Sequence, residues 1–247
     1  MRSSLLKRPR TFLRPTDPDA FSYHVSEALS TEEAEAASND AQLLQECQSC
    51  GIDLPSVIEN LSLTSGQRLE PTAIALQTLN LFNLLGELSR RKIRYVLIGG
   101  LAGRVYGSSY ATSDLDICHA RDDQNLRKLA SLLRSAKAEY RRLPQFGPAI
   151  VDSKILATES DFVFTTQLGK LDLIGEFTGV GAYEQAVAGA ITVEVERLKV
   201  PVLSLPKLMA AKKSTGRSKD QLVHTELEMI TKIREKSWAY SSPKWVS

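Results

Sequence analysis

Residues 93–118 read IRYVLIGGLAGRVYGSSYATSDLDIC and contain a glycine pair followed, after thirteen residues, by an acid-apolar-acid triplet. The apolar, β-branched run before the glycines predicts a buried strand, and the glycines after it favour a turn or a phosphate site. The stretch predicts a strand, a short helix, a polar turn and a second strand, at Ile93–Ile98, Leu101–Tyr106, Gly107–Ser113 and Leu115–Cys118.

Acidic residues are the main candidates for chemistry. Asp114 and Asp116 are two residues apart on the second predicted strand, so both carboxylates lie on one face. Two close carboxylates repel each other unless a cation lies between them, and magnesium prefers such oxygen ligands. Asp172, between apolar neighbours, supplies a third acid, with Asp161 and Glu176 as substitutes. The three acids favour a metal–nucleotide site.

The glycine pair is a candidate for phosphate binding. Gly99 and Gly100 have no Cβ, so the backbone can approach a triphosphate closely and the following N–H groups can donate to it. Hydroxyl contacts are expected from Ser113, with further candidates at Ser108, Ser109 and Thr112. Two glycines after a strand are more often only a turn, so this interpretation depends on their combination with the acids.

Helical and strand periods alternate along the rest of the chain. Pro71 suits the first position of a helix that ends near Ser89–Lys92, and another helix is predicted from Asp122 to about Ala138. Further strands are predicted at Phe162–Gln167, Lys170–Ile174, Ile191–Glu196 and Lys199–Leu203, and further helices at Leu205–Lys213 and Lys219–Lys236. We therefore predict an α+β fold, a mixed sheet flanked by helices and followed by C-terminal helices.

The first 70 residues differ from the rest in composition. They are polar, contain four prolines, and carry a basic tail and an acidic stretch, with a short helix expected at Glu32–Cys47. The sequence thus predicts three parts. Residues 1–70 are a poorly structured or helical extension, residues 71–204 are the core, and residues 205–247 are a helical region that closes the site.

Composition limits the class of protein. A chain of 247 residues with 43% hydrophobic residues can bury one large core, and a net charge of +2 does not by itself indicate nucleic-acid binding. No apolar stretch suits a membrane span or a secretory signal, so we expect a cytoplasmic protein without a membrane partner. The three cysteines are expected to be free thiols, although Cys47 and Cys50 have the spacing of half a zinc site.

The glycine pair, Arg104, the segment Ser113–Ile117 and the later Asp172 resemble the nucleotidyltransferase superfamily of DNA polymerase β. The segments Leu205–Lys212 and Gly216–Asp220 are similar to its AbiEii and MenT-like group. Many members of that group are toxins of toxin–antitoxin or abortive-infection systems. The resemblance covers about residues 75–235 and implies a polymerase β-like nucleotidyltransferase fold for that part.

This resemblance implies transfer of a nucleoside monophosphate from an NTP to an acceptor hydroxyl or amine, with Mg²⁺ or Mn²⁺ held by the three acids. In relatives the acid that matches Asp172 takes the acceptor's proton, and the residues that match Lys212 and Asp220 lie at the active site. Arg217 is a further candidate for nucleotide phosphates. The implied acceptors are tRNA and protein, and an antitoxin is an implied partner.

The sequence departs from the family pattern in two places. His224 stands where relatives often have an acid, and no serine directly follows Gly100. Two alternative functions stay open: a small-molecule, antibiotic-type nucleotidyltransferase, and a non-catalytic nucleotide-binding partner on the same fold. Intact acids argue against the latter, since a pseudoenzyme is expected to lose at least one.

Four other side chains are further candidates. His119 is expected at the rim of the site, with a catalytic base as the alternative, and His224 is able to approach Asp220 from one helical turn away. Tyr106 and Tyr110 are candidates to stack on a nucleotide base, and for Tyr106 helix packing is the alternative.

Overall fold

A seven-stranded mixed sheet lies at the centre of the part of the protein that the computed structural model describes, residues 27–70, 76–141 and 151–241. The strands in chain order are β1 (Tyr95–Leu97), β2 (Asp114–His119), β3 (Glu139–Tyr140), β4 (Asp161–Thr166), β5 (Gly169–Ile174), β6 (Glu176–Phe177), β7 (Gly181–Ala182), β8 (Ile191–Val195) and β9 (Leu198–Val202). Strands β6 and β7 pair with each other, and the others follow the order β3-β4-β5-β2-β1-β9-β8.

The described ranges also contain eleven helices, which come before, between and after the strands in the chain. In chain order they are α1 (Thr31–Ser38), α2 (Ala41–Ser49), α3 (Leu54–Leu61), α4 (Ser65–Leu69), α5 (Leu76–Arg90), α6 (Gly99–Val105), α7 (Asp123–Ser135), α8 (Ser153–Thr158), α9 (Tyr183–Val187), α10 (Leu205–Ser214) and α11 (Ser218–Ser241). Helix α5 packs against β2, β5 and β9, while α6 and α9 pack against β2. The predicted α+β class, a mixed sheet flanked by helices, is confirmed.

Local sequence accounts for these elements. Strand β2 pairs antiparallel with β1 and parallel with β5, and its Leu115 and Ile117 are fully buried between partly exposed acids. Helix α7 begins where the Asp122 side chain accepts a hydrogen bond from the Asn125 N–H. The predicted strands and helices from β1 to α11 agree with the observed ones to within a few residues. Pro71, predicted to begin α5, lies outside the described residues.

The N-terminal segment is part of the folded body. The sequence predicts an extension at residues 1–70, with one helix at Glu32–Cys47; the structure has four helices between residues 31 and 69. The expected single helix is interrupted because Asp40 caps a new helix, accepting from the Leu43 N–H. Helix α1 packs against α11, and α4 packs against α6 and β8. Residues 27–70 therefore share the core of the sheet domain.

Apolar burial supports this packing. Nine hydrophobic side chains between residues 27 and 70 belong to the same buried cluster as the sheet, namely Leu29, Ala37, Leu43, Cys47, Leu54, Val57, Ile58, Leu61 and Leu69. Each fully buried aliphatic side chain contributes about 1.5–3 kcal/mol to folding. Within the described ranges no helix is both long and apolar enough to cross a membrane.

Candidate active site

Three acids form a cluster on one face of the sheet. Asp114 and Asp116 lie on β2, Asp172 lies on β5, and the register of these parallel strands places Asp116 directly opposite Asp172. The side chains of Asp114 and Asp172 are 30% and 16% exposed and that of Asp116 lies deeper, while their apolar neighbours on both strands are buried. The register thus brings together the acids that the sequence predicts; we call Asp114, Asp116 and Asp172 the carboxylate cluster.

The glycine pair holds Asp116 in place. Gly99 has a φ of +67°, a conformation that favours glycine, and a Cβ there would overlap the carboxylate of Asp116. The Gly100 N–H donates to that carboxylate, and a Cβ on Gly100 would stand 2.7 Å from the Cβ of Thr112. From the sequence alone, the expected reason for these glycines is the close approach of a triphosphate to the backbone. In the structure, the close approach that requires them is that of Asp116 and Thr112.

The carboxylate cluster has an uneven distribution of charge. Burial, together with the negative charge of Asp172, raises the pKa of Asp116 to about 7. Burial also raises the pKa of Asp172, against the opposing influence of Arg141. Burial alone would raise the pKa of Asp114, but a hydrogen bond from Ser113 and the charges of Lys170 and Arg141 outweigh it and hold that pKa below its ordinary value.

Two cationic side chains that the sequence did not indicate contact the cluster. Arg141 bonds to Asp172 through Nη2, and its Nη1 lies 3.5 Å from Asp114 Oδ2. Lys170 Nζ lies 3.4 Å from Asp114 Oδ1. Lys170 is directly opposite Asp114 on β5, so strand pairing identifies it. Arg141 follows the two-residue strand β3, and no local pattern in the sequence predicts that pairing.

Lys212 lies at the edge of the cluster. Its positive charge opposes the rise in the pKa of Asp116, and its Nζ is 2.5 Å from Asp220 Oδ1. Asp220 also accepts a hydrogen bond of 2.8 Å from Thr215. Thr215 thus orients the carboxylate that in turn orients the ammonium group of Lys212. Arg217 is exposed. Burial alone would raise the pKa of Asp220, but hydrogen bonds from Lys212 and Thr215 and the charges of Lys212 and Arg217 hold that pKa below its ordinary value. The C-terminal helices thus bring the positive charge of Lys212 close enough to influence Asp116.

The hydroxyls of the turn before β2 already have partners. Ser113 Oγ donates to Asp114 Oδ1 at 2.8 Å. Ser108 donates to the buried carboxylate of Glu226, and Ser109 donates to it through both its N–H at 2.9 Å and its Oγ at 2.5 Å. The expected role of Ser108 and Ser109 in binding phosphate is therefore replaced by a contact that ties the turn to α11.

Arg104 and the two histidines point to other partners. Arg104 Nε donates to the main-chain carbonyl of Arg68 at 3.4 Å, so it contacts the N-terminal helices. His119 is fully buried, and burial lowers its pKa to about 4, which does not suit a histidine on an exposed rim. His224 Nδ1 lies 3.6 Å from Glu228, on the next turn of its helix. The structure does not bring these three side chains to the carboxylate cluster by any contact it describes.

The remaining candidates are explained by packing. The Tyr106 hydroxyl donates to the Leu203 carbonyl at 2.9 Å within the core, and Tyr110 packs against the core from a partly buried position. Asp161 accepts from Ser160 and from the Gly175 N–H, and is opposite Ile174 rather than Asp116. Cys47, Cys50 and Cys118 are free thiols, as expected.

The residues fit a hard divalent cation. As the side chains stand, no group of three or more His, Cys, Asp or Glu side chains within the described ranges is arranged to hold one metal ion. However, three partly exposed carboxylates share one face, and the positive group that contacts two of them is a guanidinium. Oxygen donors that attract a cation are the ligands of magnesium and manganese. Within the described ranges, Cys47 and Cys50 likewise belong to no group of three or more such side chains, so nothing in the structure supports zinc there.

Neither the models of known protein families nor the curated proteins match this chain. The chemical interpretation of the carboxylate cluster therefore depends on its own residues and on the motifs described above.

Proposed function

We propose that this chain is a metal-dependent nucleotidyltransferase with the polymerase β-like fold. The observation that carries the proposal is the pairing of Asp116 with Asp172 on adjacent parallel strands, with Asp114 on the same face and Gly99 against Asp116. Gly99 leaves room for the carboxylate of Asp116, which a residue with a Cβ would not. A non-catalytic protein on the same fold is expected to have lost at least one of the three acids.

In this proposal each residue of the cluster has a task. Asp114, Asp116 and Asp172 hold Mg²⁺ or Mn²⁺, which when bound neutralises the triphosphate and activates the acceptor. The acceptor oxygen or nitrogen forms a bond to the α-phosphorus of the NTP, and the bond from that phosphorus to the β-phosphate oxygen breaks. Pyrophosphate leaves, and Asp172 accepts the acceptor's proton.

Lys212 supplies a fixed positive charge in the same proposal. Its ion pair with Asp220 orients the ammonium group, and only 14% of the lysine side chain is exposed. A cation held near the transferring phosphoryl group stabilises the charge that develops there, and a held group needs little reorganisation. Arg217 is exposed nearby and is a candidate for the acceptor or the outer phosphates.

The acceptor is proposed to be an RNA or a protein, as the toxin-like motifs suggest. The exposed segment from the last turn of α10 to the first turn of α11 carries Lys213, Arg217 and Lys219 without an exposed acid, which favours an anionic acceptor such as tRNA. Other bases of the last helix are engaged: Lys232 pairs with Glu46, and Lys236 pairs with Asp40. The basic surface available to an acceptor is therefore smaller than the sequence suggests.

The test is transfer of label from each NTP into a cell extract. The protein and its Asp116→Asn variant are incubated with Mg²⁺ and ATP, CTP, GTP or UTP labelled at the α- or at the γ-phosphate. We expect α-label, but no γ-label, to enter RNA, protein or a small molecule with the unmodified protein alone. Transfer of γ-label would indicate a kinase, and no transfer from any nucleotide would contradict the proposal. Label in small molecules would favour the antibiotic-type alternative.

A further inference from the structure

Arg141 lies in the same row of the sheet as the paired acids. Its N–H donates to the Val163 carbonyl at 2.9 Å, Val163 is opposite Asp172 on β5, and Asp172 is opposite Asp116 on β2. The guanidinium extends along this row and contacts Asp172 and Asp114. It therefore lies among the oxygens that the proposed function assigns to a metal ion.

The bonding of Arg141 is incomplete. Its Nε is buried and has no hydrogen-bond partner in the described part of the chain, and its contact with Asp114 is long at 3.5 Å. A guanidinium has five N–H donors in a planar fork, which suits carboxylate and phosphate groups equally. A purely structural arginine would be expected to have a fuller set of acceptors, because an unsatisfied buried donor is costly.

We propose that Arg141 is an exchangeable cation of the active site, a statement that rests on the proposed function. Without ligands, it bridges Asp114 and Asp172 and reduces their repulsion. When metal and nucleotide bind together, its guanidinium leaves the two carboxylates and binds the triphosphate. Arg141 thus competes with the metal in one state and assists the nucleotide in the other.

Charge balance explains why the exchange couples the two ligands. Taken as ionised, Asp114, Asp116, Asp172 and Asp220 are nearly balanced by Arg141, Lys170 and Lys212, which leaves one negative charge. Two divalent metal ions alone would change the charge of the site from −1 to +3 and would separate Arg141 from its partners. A triphosphate that arrives with them offsets that charge and provides acceptors for the freed guanidinium. Metal alone is therefore expected to bind weakly.

The test measures two affinities in three proteins: the unmodified chain, Arg141→Ala and Arg127→Ala. Arg127 is an exposed arginine on α7 whose distance to Asp123 is 3.9 Å, so it serves as the matched control. Mn²⁺ binding without nucleotide is followed by the electron paramagnetic resonance signal of the free ion. Binding of ATP, CTP, GTP and UTP, the nucleotides of the transfer assay, is followed by calorimetry at saturating Mg²⁺.

Arg141→Ala is expected to bind Mn²⁺ alone about threefold to tenfold more tightly, since an ion pair no longer has to be broken. The same variant is expected to bind the NTP about tenfold more weakly, since a charge-assisted hydrogen bond is lost. Opposite signs are the result that supports the proposal, because a structural defect would weaken both affinities. Arg127→Ala should match the unmodified protein in both measurements.

Equal losses in both affinities, or no change in either, would overturn the role of Arg141. Arg141→Lys is a second variant in case the alanine form does not fold, as judged by circular dichroism. A lysine keeps the charge but not the fork, so its Mn²⁺ affinity should rise and its NTP affinity should fall by a smaller factor. If the unmodified protein binds no NTP in the presence of metal, the proposed function itself fails, whatever the variants do.

Discussion

Two clusters of like charge in this protein are stabilised in different ways. The carboxylate cluster contains three acids on β2 and β5, and two of them, Asp114 and Asp172, contact the side-chain cations Arg141 or Lys170. A second cluster contains two buried arginines, Arg68 on α4 and Arg234 on α11. Their guanidinium groups contact main-chain carbonyls, and both reach the carbonyls of residues 27 and 61.

The second cluster has the character of a structural joint. Arg68 donates to the carbonyls of Glu27 at 3.1 Å, Leu63 at 2.7 Å and Val105 at 2.5 Å, which lie in three separate parts of the chain. Burial and the charge of Arg234 lower the pKa of Arg68 to about 9, so the arginine stays charged at neutral pH. These carbonyls belong to the backbone, so they cannot rotate away from the arginine as a side chain can.

The comparison distinguishes two uses of buried charge. Backbone carbonyls that converge on a guanidinium hold helices together, because a buried donor without acceptors would be costly. Side-chain cations around acids can be replaced by other cations, because each partner is able to rotate away. We therefore expect changes in the arginine cluster to affect stability, and changes in the carboxylate cluster to affect chemistry.

The largest expected effect is on folding. A chain that begins at residue 71 lacks α1 to α4, so it exposes the apolar surface that these helices cover and leaves Arg234 without the carbonyls of residues 27 and 61. We expect it to have no cooperative unfolding transition by circular dichroism. A chain that begins at residue 27 should unfold cooperatively. A stable, nucleotide-binding chain from residue 71 would show that the N-terminal helices are dispensable.

The sequence predicts one side of this comparison much better than the other. Strands β2 and β5 alternate between partly exposed and buried residues around their acids, at residues 114–117 and 170–173, so the acids are assigned to one face from local pattern alone. The N-terminal helices have five to nine residues each, too short for a clear helical period. Arg68 appears in the sequence as an ordinary surface base, since its acceptors are up to 41 residues away.

Arg141 and the glycine pair show why some contacts in the site could not be predicted from the sequence. The position of Arg141 depends on a two-residue strand that pairs with β4, which no local pattern predicts. The glycines at 99 and 100 were identified, but the reason for them is a contact with Asp116 and Thr112 that only the folded chain provides. The importance of the two glycines was predictable from the sequence, but the contact that requires them was not.

The next largest effect is the loss of chemistry in Asp116→Asn. The substitution removes the charge of a proposed metal ligand without changing its shape, so transfer of α-label should fall about a hundredfold or more. Thermal stability should be equal or higher, because one of several crowded like charges is gone. Activity within about tenfold of the unmodified protein would remove Asp116 from the list of ligands.

Stability of the same variant also gives a pH test with a defined sign. The folded-state pKa of Asp116 is raised to about 7, above its ordinary value of 3.8, so the folded state favours the protonated form. Metal-free protein therefore loses stability from this group as pH rises from about 4 to 7. Measured with a chelator present, the advantage of Asp116→Asn should be larger at pH 8 than at pH 5.

Arg68→Met is the matching change in the arginine cluster. Methionine fills similar space but leaves several buried carbonyls without a donor, so we expect a loss of about 3–5 kcal/mol in the free energy of unfolding. Transfer activity per folded molecule should be unchanged. Arg127→Met, at an exposed position, is the control and should cost less than about 0.5 kcal/mol. A specific loss of activity in folded Arg68→Met would link the two clusters.

A smaller effect is expected from Gly99→Ala, for which Gly51→Ala is a matched control. Both glycines have a φ close to +68°, at +67° and +68°, but a Cβ on Gly51 has no atom within 4 Å, whereas a Cβ on Gly99 overlaps Asp116. Gly51→Ala should cost about 1 kcal/mol from backbone strain alone. Gly99→Ala should cost about 3 kcal/mol and also weaken Mn²⁺ binding. Equal costs would show that Asp116 moves aside freely.

The smallest effects separate two ion-paired lysines on the C-terminal helices. Lys212 and its partner Asp220 are 14% and 13% exposed, while Lys232 and its partner Glu46 are 55% and 32% exposed. A shielded pair near the cluster should influence chemistry, so Lys212→Ala is expected to lower turnover about tenfold at both low and high salt. An exposed pair is screened by salt, so Lys232→Ala should leave both stability and turnover almost unchanged. If both variants lose activity equally, and lose it only at low salt, Lys212 belongs to a diffuse surface that binds an anionic acceptor. Lys212 would then leave the proposed site, while the roles of the three acids would be unaffected.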